Sequence, residues 1–131
     1  MAYTIATLDD LGEGYGFRKV RKALNITAFG VNGLVFPPRY EGPNHFHDVQ
    51  DELYFVHRGT ATFVFDGDEQ VVPEGGLVHV ESTTHRMIAN RTDDDLVLLV
   101  VGGSQGYVDR DGRVVSAEDL EKRQAMGRWK Q

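Results

Sequence analysis

The chain has 131 residues, of which 40% are hydrophobic and 26% charged, so it can build one core but is too short for two full domains. Its 14 basic and 20 acidic residues give a formal net charge of −6, which leaves no evident phosphate-neutralising surface for nucleic acid. It has no cysteine, which excludes disulfides and thiolate ligands, so any metal ion must rely on nitrogen and oxygen ligands.

Residues 1–23 are predicted to form an N-terminal arm, the part of the chain whose structure the sequence defines least. The basic cluster RKVRK at residues 18–22 is either an anion-binding surface or a solvated strand face, and its short length favours the second interpretation. No basic start precedes an apolar stretch, and the longest apolar run, LVLLVV at residues 96–101, is far shorter than a membrane span. We therefore expect no signal peptide, no membrane partner and a cytoplasmic location.

Short apolar or alternating segments rich in Val, Phe, Leu and Tyr predict strands along most of the chain. They are residues 24–29, 31–36, 52–57, 60–65, 77–80, 86–90 and 96–101. Turn residues separate them, including Asp66-Gly67, a hairpin signal because glycine tolerates positive φ. Many short strands joined by tight turns predict an antiparallel sandwich or barrel, with its core at about residues 24–102.

Only the C-terminal tail, residues 116–128, is predicted to be helical. Ser116 can cap the first turn, Asp119 lies three residues later as a capping-box-like acid, and Gly127 would end the helix. The sequence therefore predicts a single all-β domain over residues 1–131, a small antiparallel β-barrel with a short C-terminal helix.

The segment HFHDVQDE carries the residues with the clearest chemical potential. His45 and His47 lie two apart, so on a strand their side chains project to the same face and can reach one ion. Glu52 lies five residues past His47 and can join them only if a turn intervenes, for which Asp48 and Asp51 are suitable residues. Asp51 remains a competing ligand. The alternative is a barrel that binds no metal and holds the histidines by hydrogen bonds.

Two stretches resemble the signature motifs of the cupin family. Residues 42–59 fit the pattern G-x2-H-x-H-x4-E-x6-G of the first motif. The later stretch GGLVHVESTTHRMIAN resembles the second motif, with His85 in the position of the third histidine. Residues 80–84 lack the usual proline and glycine, and Asn90 falls one residue later than expected, so the departure concerns the loop before His85.

The resemblance implies a jelly-roll barrel with a metal site inside its open end. His45, His47, Glu52 and His85 would be the ligands of one divalent transition metal. Nitrogen and oxygen ligands do not choose among iron, manganese, nickel, copper and zinc. The resemblance also implies a homodimer, since small single-domain cupins commonly pair through their sheets.

Strand parity suggests which residues shape the pocket. Tyr54 and Met87 are expected to share the interior face with the ligands, and Phe63 is a further candidate for the lining or for plain core packing. Arg39, just before the first motif, is the candidate to meet an anionic substrate at the rim. Arg86 is expected to face away from the site. His57 and His79 do not stand at the signature positions of either motif and are expected to have structural roles.

Three functions remain open on the sequence. The preferred one is a metal-dependent enzyme acting on a small organic molecule, with oxygenase chemistry ahead of isomerase, lyase or cyclase chemistry. The second is a non-catalytic module that binds or senses a small molecule. The third is a metal-free isomerase or epimerase that uses His45, His47 and Glu52 as acid and base groups. The substrate depends on side chains that converge from distant strands, which one sequence does not reveal.

Overall fold

A computed structural model describes residues 2–127 of the chain. Within them, eleven strands and two α-helices follow a short 3-10 helix at Asp9–Leu11. In chain order they are β1 (Gly16–Arg18), α1 (Val20–Leu24), β2 (Gly30–Phe36), β3 (Tyr40–Glu41), β4 (His45–His47), β5 (Asp51–Arg58), β6 (Ala61–Phe65), β7 (Asp68–Val72), β8 (Leu77–Val80), β9 (Met87–Asn90), β10 (Leu96–Gly103), β11 (Gly112–Val114) and α2 (Ala117–Gly127).

The strands form two larger sheets and one short pair. One sheet has the order β1-β2-β10-β5-β8, the other has the order β3-β9-β6-β7, and β11 pairs with β4. Every one of these pairings is antiparallel. The predicted all-β antiparallel fold with a C-terminal helix is therefore confirmed.

The core is built from side chains that alternate inward along strands of both sheets. Tyr54 on β5 and Phe63 on β6 are buried and meet edge to face, with ring centroids 5.2 Å apart. Leu34 and Leu98 lie opposite each other on β2 and β10 and are buried as well. Such alternation is what a half-buried antiparallel strand requires, because successive side chains point to opposite faces.

Two turns follow the glycine signals in the sequence. Asp66 and Gly67 have φ of 48° and 86°, and they join β6 to β7 in a two-residue hairpin. Gly59, the last glycine of the first motif, follows β5 with a φ of +85°, and a Cβ there would lie 2.6 Å from Asp95 O. A side chain at residue 59 is excluded both by backbone conformation and by space.

The predicted strand at residues 24–29 is wrong. Its first residue instead ends helix α1, in which Val20 and Leu24 lie one turn apart. Asn25 terminates the helix with a left-handed φ of 56°, and its N–H donates back to helix carbonyls. The strand at this edge of the sheet is β1, which pairs with β2.

The C-terminal helix begins where its cap predicts. Ser116 Oγ accepts a hydrogen bond from Asp119 N at 3.1 Å and donates to Asp119 Oδ2 at 2.7 Å. The other oxygen of Asp119 accepts a hydrogen bond from Asn44 N at 3.0 Å, directly before β4. Residue 128, the predicted end of the helical tail, lies outside the described residues.

Candidate functional site

Two histidines and one glutamate converge beside the cavity between the sheets. His45 and His47 lie on β4, and Glu52 lies at the second position of β5. One ligand atom from each of these side chains lies within 4.8 Å of the other two. Residues 2–127 therefore contain a compact group of two imidazoles and one carboxylate.

The turn that was expected between His47 and Glu52 is held by an acid from far along the chain. Val49 N and Gln50 N both donate to Asp111 Oδ2, at 2.8 and 3.0 Å. Asp51, the competing acid, is exposed and accepts a hydrogen bond from Ser82 N at 2.9 Å. Asp51 lies outside the group of ligand atoms.

Strand register puts Arg86, and not His85, on the face that carries His45. The N–H of His45 donates to Arg86 O, and the N–H of Arg86 donates to His45 O, both at 2.9 Å. Residues paired in this way across an antiparallel ladder project their side chains to the same face. The expectation that Arg86 faces away is wrong. His85 shares the opposite face with Phe46, on which its ring stacks at a centroid distance of 4.9 Å, so it lies outside the ligand group.

The Arg86 side chain is 0% exposed and is anchored at both terminal nitrogens. Nη2 donates to Glu52 Oε1 at 3.0 Å, while Nη1 donates to Ser82 O at 3.0 Å and to Thr84 O at 2.7 Å. A guanidinium stays protonated at any pH of interest, so the site contains a permanent positive charge.

The Glu52 carboxylate is held by three side chains of the site. Its Oε1 accepts hydrogen bonds from Arg86 and from Tyr54 OH, and it lies 3.1 Å from His47 Nε2. Burial alone would raise the pKa of this carboxyl, but His47, Tyr54 and Arg86 together lower it to about 2. Glu52 is therefore ionised at neutral pH.

Asp111 orients the His47 ring from the opposite side. His47 Nδ1 lies 2.7 Å from Asp111 Oδ1, and Gly112 is paired with His47 across the β11–β4 ladder. A Cβ at Gly112 would approach His47 Cε1 to 3.2 Å, so the missing side chain leaves room for the ring. Burial lowers the pKa of His47, but its hydrogen bonds to Glu52 and Asp111 and the charge of Glu52 raise it on balance.

His45 is kept neutral by its surroundings. Burial and then the charge of Arg86 lower the pKa of His45 to about 4. Its Nδ1 lies 3.2 Å from Pro43 O, so a neutral ring that donates from Nδ1 keeps the lone pair of Nε2 for a ligand.

The three side chains line a cavity of about 900 Å³. Apolar residues form much of its wall, among them Leu34, Phe36, Ile88 and Met126. Tyr54 lines it as expected from strand parity. A concave site with an apolar wall and a few convergent polar groups is typical of small-molecule binding sites.

The other residues expected at the pocket lie elsewhere. Arg39 is exposed, and its Nε donates to Asp93 at 2.8 Å. Phe63 is fully buried in the core, and Met87 on β9 is paired with Val64. None of Arg39, Phe63 and Met87 lines the cavity, whereas Ile88, the neighbour of Met87, does.

Sequence reasoning missed two residues that hold the site, Arg86 and Asp111. For Arg86 the sequence did contain a signal. The second motif expects a fixed spacing between its histidine and its asparagine, and Asn90 lies one residue too late when this spacing is counted from His85. Counted from Arg86, the spacing to Asn90 is the expected one, which indicates that Arg86 occupies the histidine position. Asn90 is buried and donates to Pro37 O and Asp94 O, so its own position is structurally determined. For Asp111 there was none, since it lies 64 residues from its partner His47.

Comparison with protein families gives a single assignment. The cupin domain family matches residues 34–102, which is more than half of the chain. The chain belongs to the cupin family. No curated protein sequence matches this cupin. The suspected resemblance is confirmed, and the matched residues include all three members of the ligand group.

Solved structures agree on the fold of this cupin. A sugar phosphate isomerase of the cupin superfamily from Silicibacter pomeroyi has a TM-score of 0.65 and 22% identity, covering 89% of this chain and 85% of that one. A polyketide cyclase from Streptomyces resistomycificus has a TM-score of 0.66 and 18% identity, covering 82% and 77%. A protein named as a candidate sugar phosphate isomerase from Acidithiobacillus ferrooxidans has a TM-score of 0.65 and 22% identity, and the match covers 75% of this chain but only 63% of that protein. At such identities the likeness shows the fold alone.

The donor set of this cupin fits a divalent metal ion. Two imidazoles and a carboxylate are a ligand set of non-haem iron sites, and a carboxylate behind a ligating histidine is a common support. The group is positioned to bind a metal through His45, His47 and Glu52. None of the helices described in residues 2–127 has the length and apolar character needed to cross a bilayer.

Proposed function

We propose that this cupin binds one divalent transition metal through His45, His47 and Glu52 and acts as an enzyme on a small organic molecule in the adjoining cavity. The observation that carries the proposal is the convergence of these three ligand atoms within 4.8 Å of one another. His45 is neutral and Glu52 ionised at neutral pH, which is the protonation state that metal binding needs.

Three donors on one side leave positions open for a substrate. When bound, a divalent metal in such a site supplies Lewis-acid polarisation of a substrate oxygen or, for iron, the oxygen chemistry of 2-His-1-carboxylate enzymes. The donor set therefore supports oxygenase chemistry. The identity of the metal stays open among iron, manganese, nickel, copper and zinc. The named activities of the structural neighbours differ from one another, so none of them is carried over.

The chain's own residues prepare the site in three ways. Asp111 fixes the ring of His47 through Nδ1, which turns Nε2 toward Glu52. Arg86 and Tyr54 hold the Glu52 carboxylate in place. The apolar wall of the cavity excludes water from a substrate that reaches the group.

Elemental analysis of untagged protein purified without chelators tests the proposal. We expect about one equivalent of one transition metal per chain in the wild type and its loss in His47→Ala. His57→Ala is the matched control, because His57 is an exposed histidine on the same strand as Glu52. Wild-type protein that stays metal-free after reconstitution with each candidate ion would overturn the proposal.

A second candidate function is metal-free proton transfer by His47 and Glu52. Two observations favour it. Arg86 already supplies Glu52 with a buried cationic partner, and the imidazole of His47 lies between the carboxylates of Glu52 and Asp111. Turnover that persists in metal-free protein and is lost in His47→Ala supports this candidate over the first. Tight binding of a ligand without conversion in either form would instead assign the cavity to a non-catalytic binding protein.

We also propose a homodimer that forms through the outer face of the five-stranded sheet. Leu53 on β5 and Leu77 on β8 are exposed there, Leu77 at 67% of its surface. Sedimentation equilibrium is expected to show a wild-type dimer and a Leu77→Glu monomer. Val71→Glu, at a 69% exposed position on the other sheet, is expected to remain dimeric. A monomeric wild type would refute the proposal.

The cytoplasmic location stays a prediction.

A further inference from the structure

The exposed side chains at the opening of the cavity are mostly cationic. Lys19 and Lys22 come from the segment around α1, Arg110 from the loop before β11, and Arg123 from α2; all four are exposed and line the cavity. Arg21, half-buried on α1, is the fifth lining cation. The residues come from three separate parts of the chain, so the fold, and not one basic stretch of sequence, brings them to one opening.

These cations form no ion pairs with carboxylates in the described part of the chain. None of the ion pairs among residues 2–127 involves any of the five. Arg21 lies over the ring of Tyr107 at 4.0 Å, and Arg123 donates to Gly112 O at 3.3 Å, so both are positioned by uncharged partners. Their charges remain available to a ligand.

The carboxylates that line the cavity are already committed to the site. They are Glu52, bonded to Arg86 and Tyr54, and Asp111, bonded to His47 and to the turn at residues 49–50. A chain of net charge −6 thus presents five cations without carboxylate partners around one concave opening. Such a local excess of one sign in a cleft raises the local concentration of oppositely charged ligands.

We propose that the cavity takes a small organic anion that carries a carboxylate or phosphate group. The anionic group lies at the opening among Lys19, Lys22 and Arg110, and the uncharged body extends along the apolar wall toward His45 and Glu52. Lysine and arginine are the usual partners of these oxyanions. The inference deepens the proposed function, because it names the substrate class of the same site.

Calorimetric titration with matched aromatic probes at low ionic strength tests the proposal. Phenyl phosphate and phenylacetate carry the two candidate groups, and phenylacetamide is the neutral analogue. We expect at least one of the anions to bind about tenfold or more tightly than the amide, with the gain lost at high salt. The better anion assigns the group as phosphate or carboxylate. Equal affinity for all three probes would overturn the proposal.

Charge reversal locates the binding energy. Lys22→Glu and Arg110→Glu are expected to weaken the better anion about tenfold each and to leave the amide unchanged. Arg58→Glu changes the net charge equally at an exposed position that does not line the cavity, and it is expected to have little effect. A loss in Arg58→Glu as large as in Lys22→Glu would refute a local anion site.

The same titration in His47→Ala separates this inference from the metal proposal. Anion binding that persists in this variant supports the cationic opening even if no metal is ever found. Anion binding that requires the metal-loaded wild type would assign the anion to the ion and overturn the inference.

Discussion

The position of His85 follows from the pairing of His45 on β4 with Arg86, the residue just before β9, because this register turns the His85 side chain to the opposite face. Its ring stacks on Phe46, away from the ligand group. We expect His85→Ala to keep the metal content of the wild type, while the loss of the ring contact lowers the free energy of unfolding by about 0.5–1.5 kcal/mol. Elemental analysis and urea unfolding check the two parts. A variant without metal would return His85 to the ligand set.

Arg86 is the residue whose loss the fold should tolerate least. Arg86→Met removes the guanidinium from the Glu52 carboxylate and from Thr84 O, and it leaves Ser82 O with the N–H of His47 as its donor. Breaking a buried ion pair from one side costs about 3–5 kcal/mol, and we expect a loss of that order in urea unfolding.

Arg91 provides the matched control for Arg86. It forms ion pairs with Glu41 and Glu69, but its side chain is 43% exposed. Solvent screens such pairs, so Arg91→Met is expected to cost less than about 1 kcal/mol. Equal losses in the two variants would contradict the buried role of Arg86.

At the scale of elements, strand identity was more predictable than strand register. The segments at 77–80 and 96–101 were predicted close to their observed bounds because each is a short run made mostly of Leu and Val that follows a turn sequence. Register was not, because a shift of one residue exchanges the two faces of a strand, as happened at His85 and Arg86. Helix α1 was missed because its apolar spacing covers a single turn.

Asp111, in the segment before β11, stabilises the candidate site by hydrogen bonds to residues 47–50. Asp111 holds both His47 and the backbone of the preceding turn. Asp111→Asn keeps the shape but removes the charge, and we expect the affinity for the metal to fall about 10- to 100-fold.

Chelator competition measures this affinity. Asp109→Asn is the control, since Asp109 lies on the same segment and bonds Tyr107 and Arg110 instead of the ligands. Unchanged affinity in Asp111→Asn would show that this stabilisation does not act on the metal.

At the scale of the whole molecule, composition gave the net charge of the chain but not the distribution of charge over its surface. A net charge of −6 argued against anionic partners such as nucleic acid, yet the fold gathers cations from residues 19–22, 110 and 123 at one opening. For the basic cluster at 18–22, a solvated strand face was favoured over an anion-binding surface, but three of its residues line the cavity. One sequence does not show such convergence, because it depends on the path of the chain.

The site has implications for how the whole protein responds to chelation. Metal sites often couple to folding because ligands repel or remain unsatisfied without the ion. Here the carboxylate keeps Arg86, Tyr54 and His47 as partners. We expect chelator-treated wild type to retain its near-ultraviolet circular dichroism and a cooperative thermal transition. Loss of cooperativity on chelation would contradict this.

The buried guanidinium of Arg86 also bears on the order of events in biogenesis. A chain that carries its own counter-charge beside the acidic ligand can complete folding on release from the ribosome, before any ion arrives. With the proposed metal, maturation would then be a late and reversible loading step. We expect cells short of the proposed metal to accumulate a folded reserve of the chain instead of losing it to degradation.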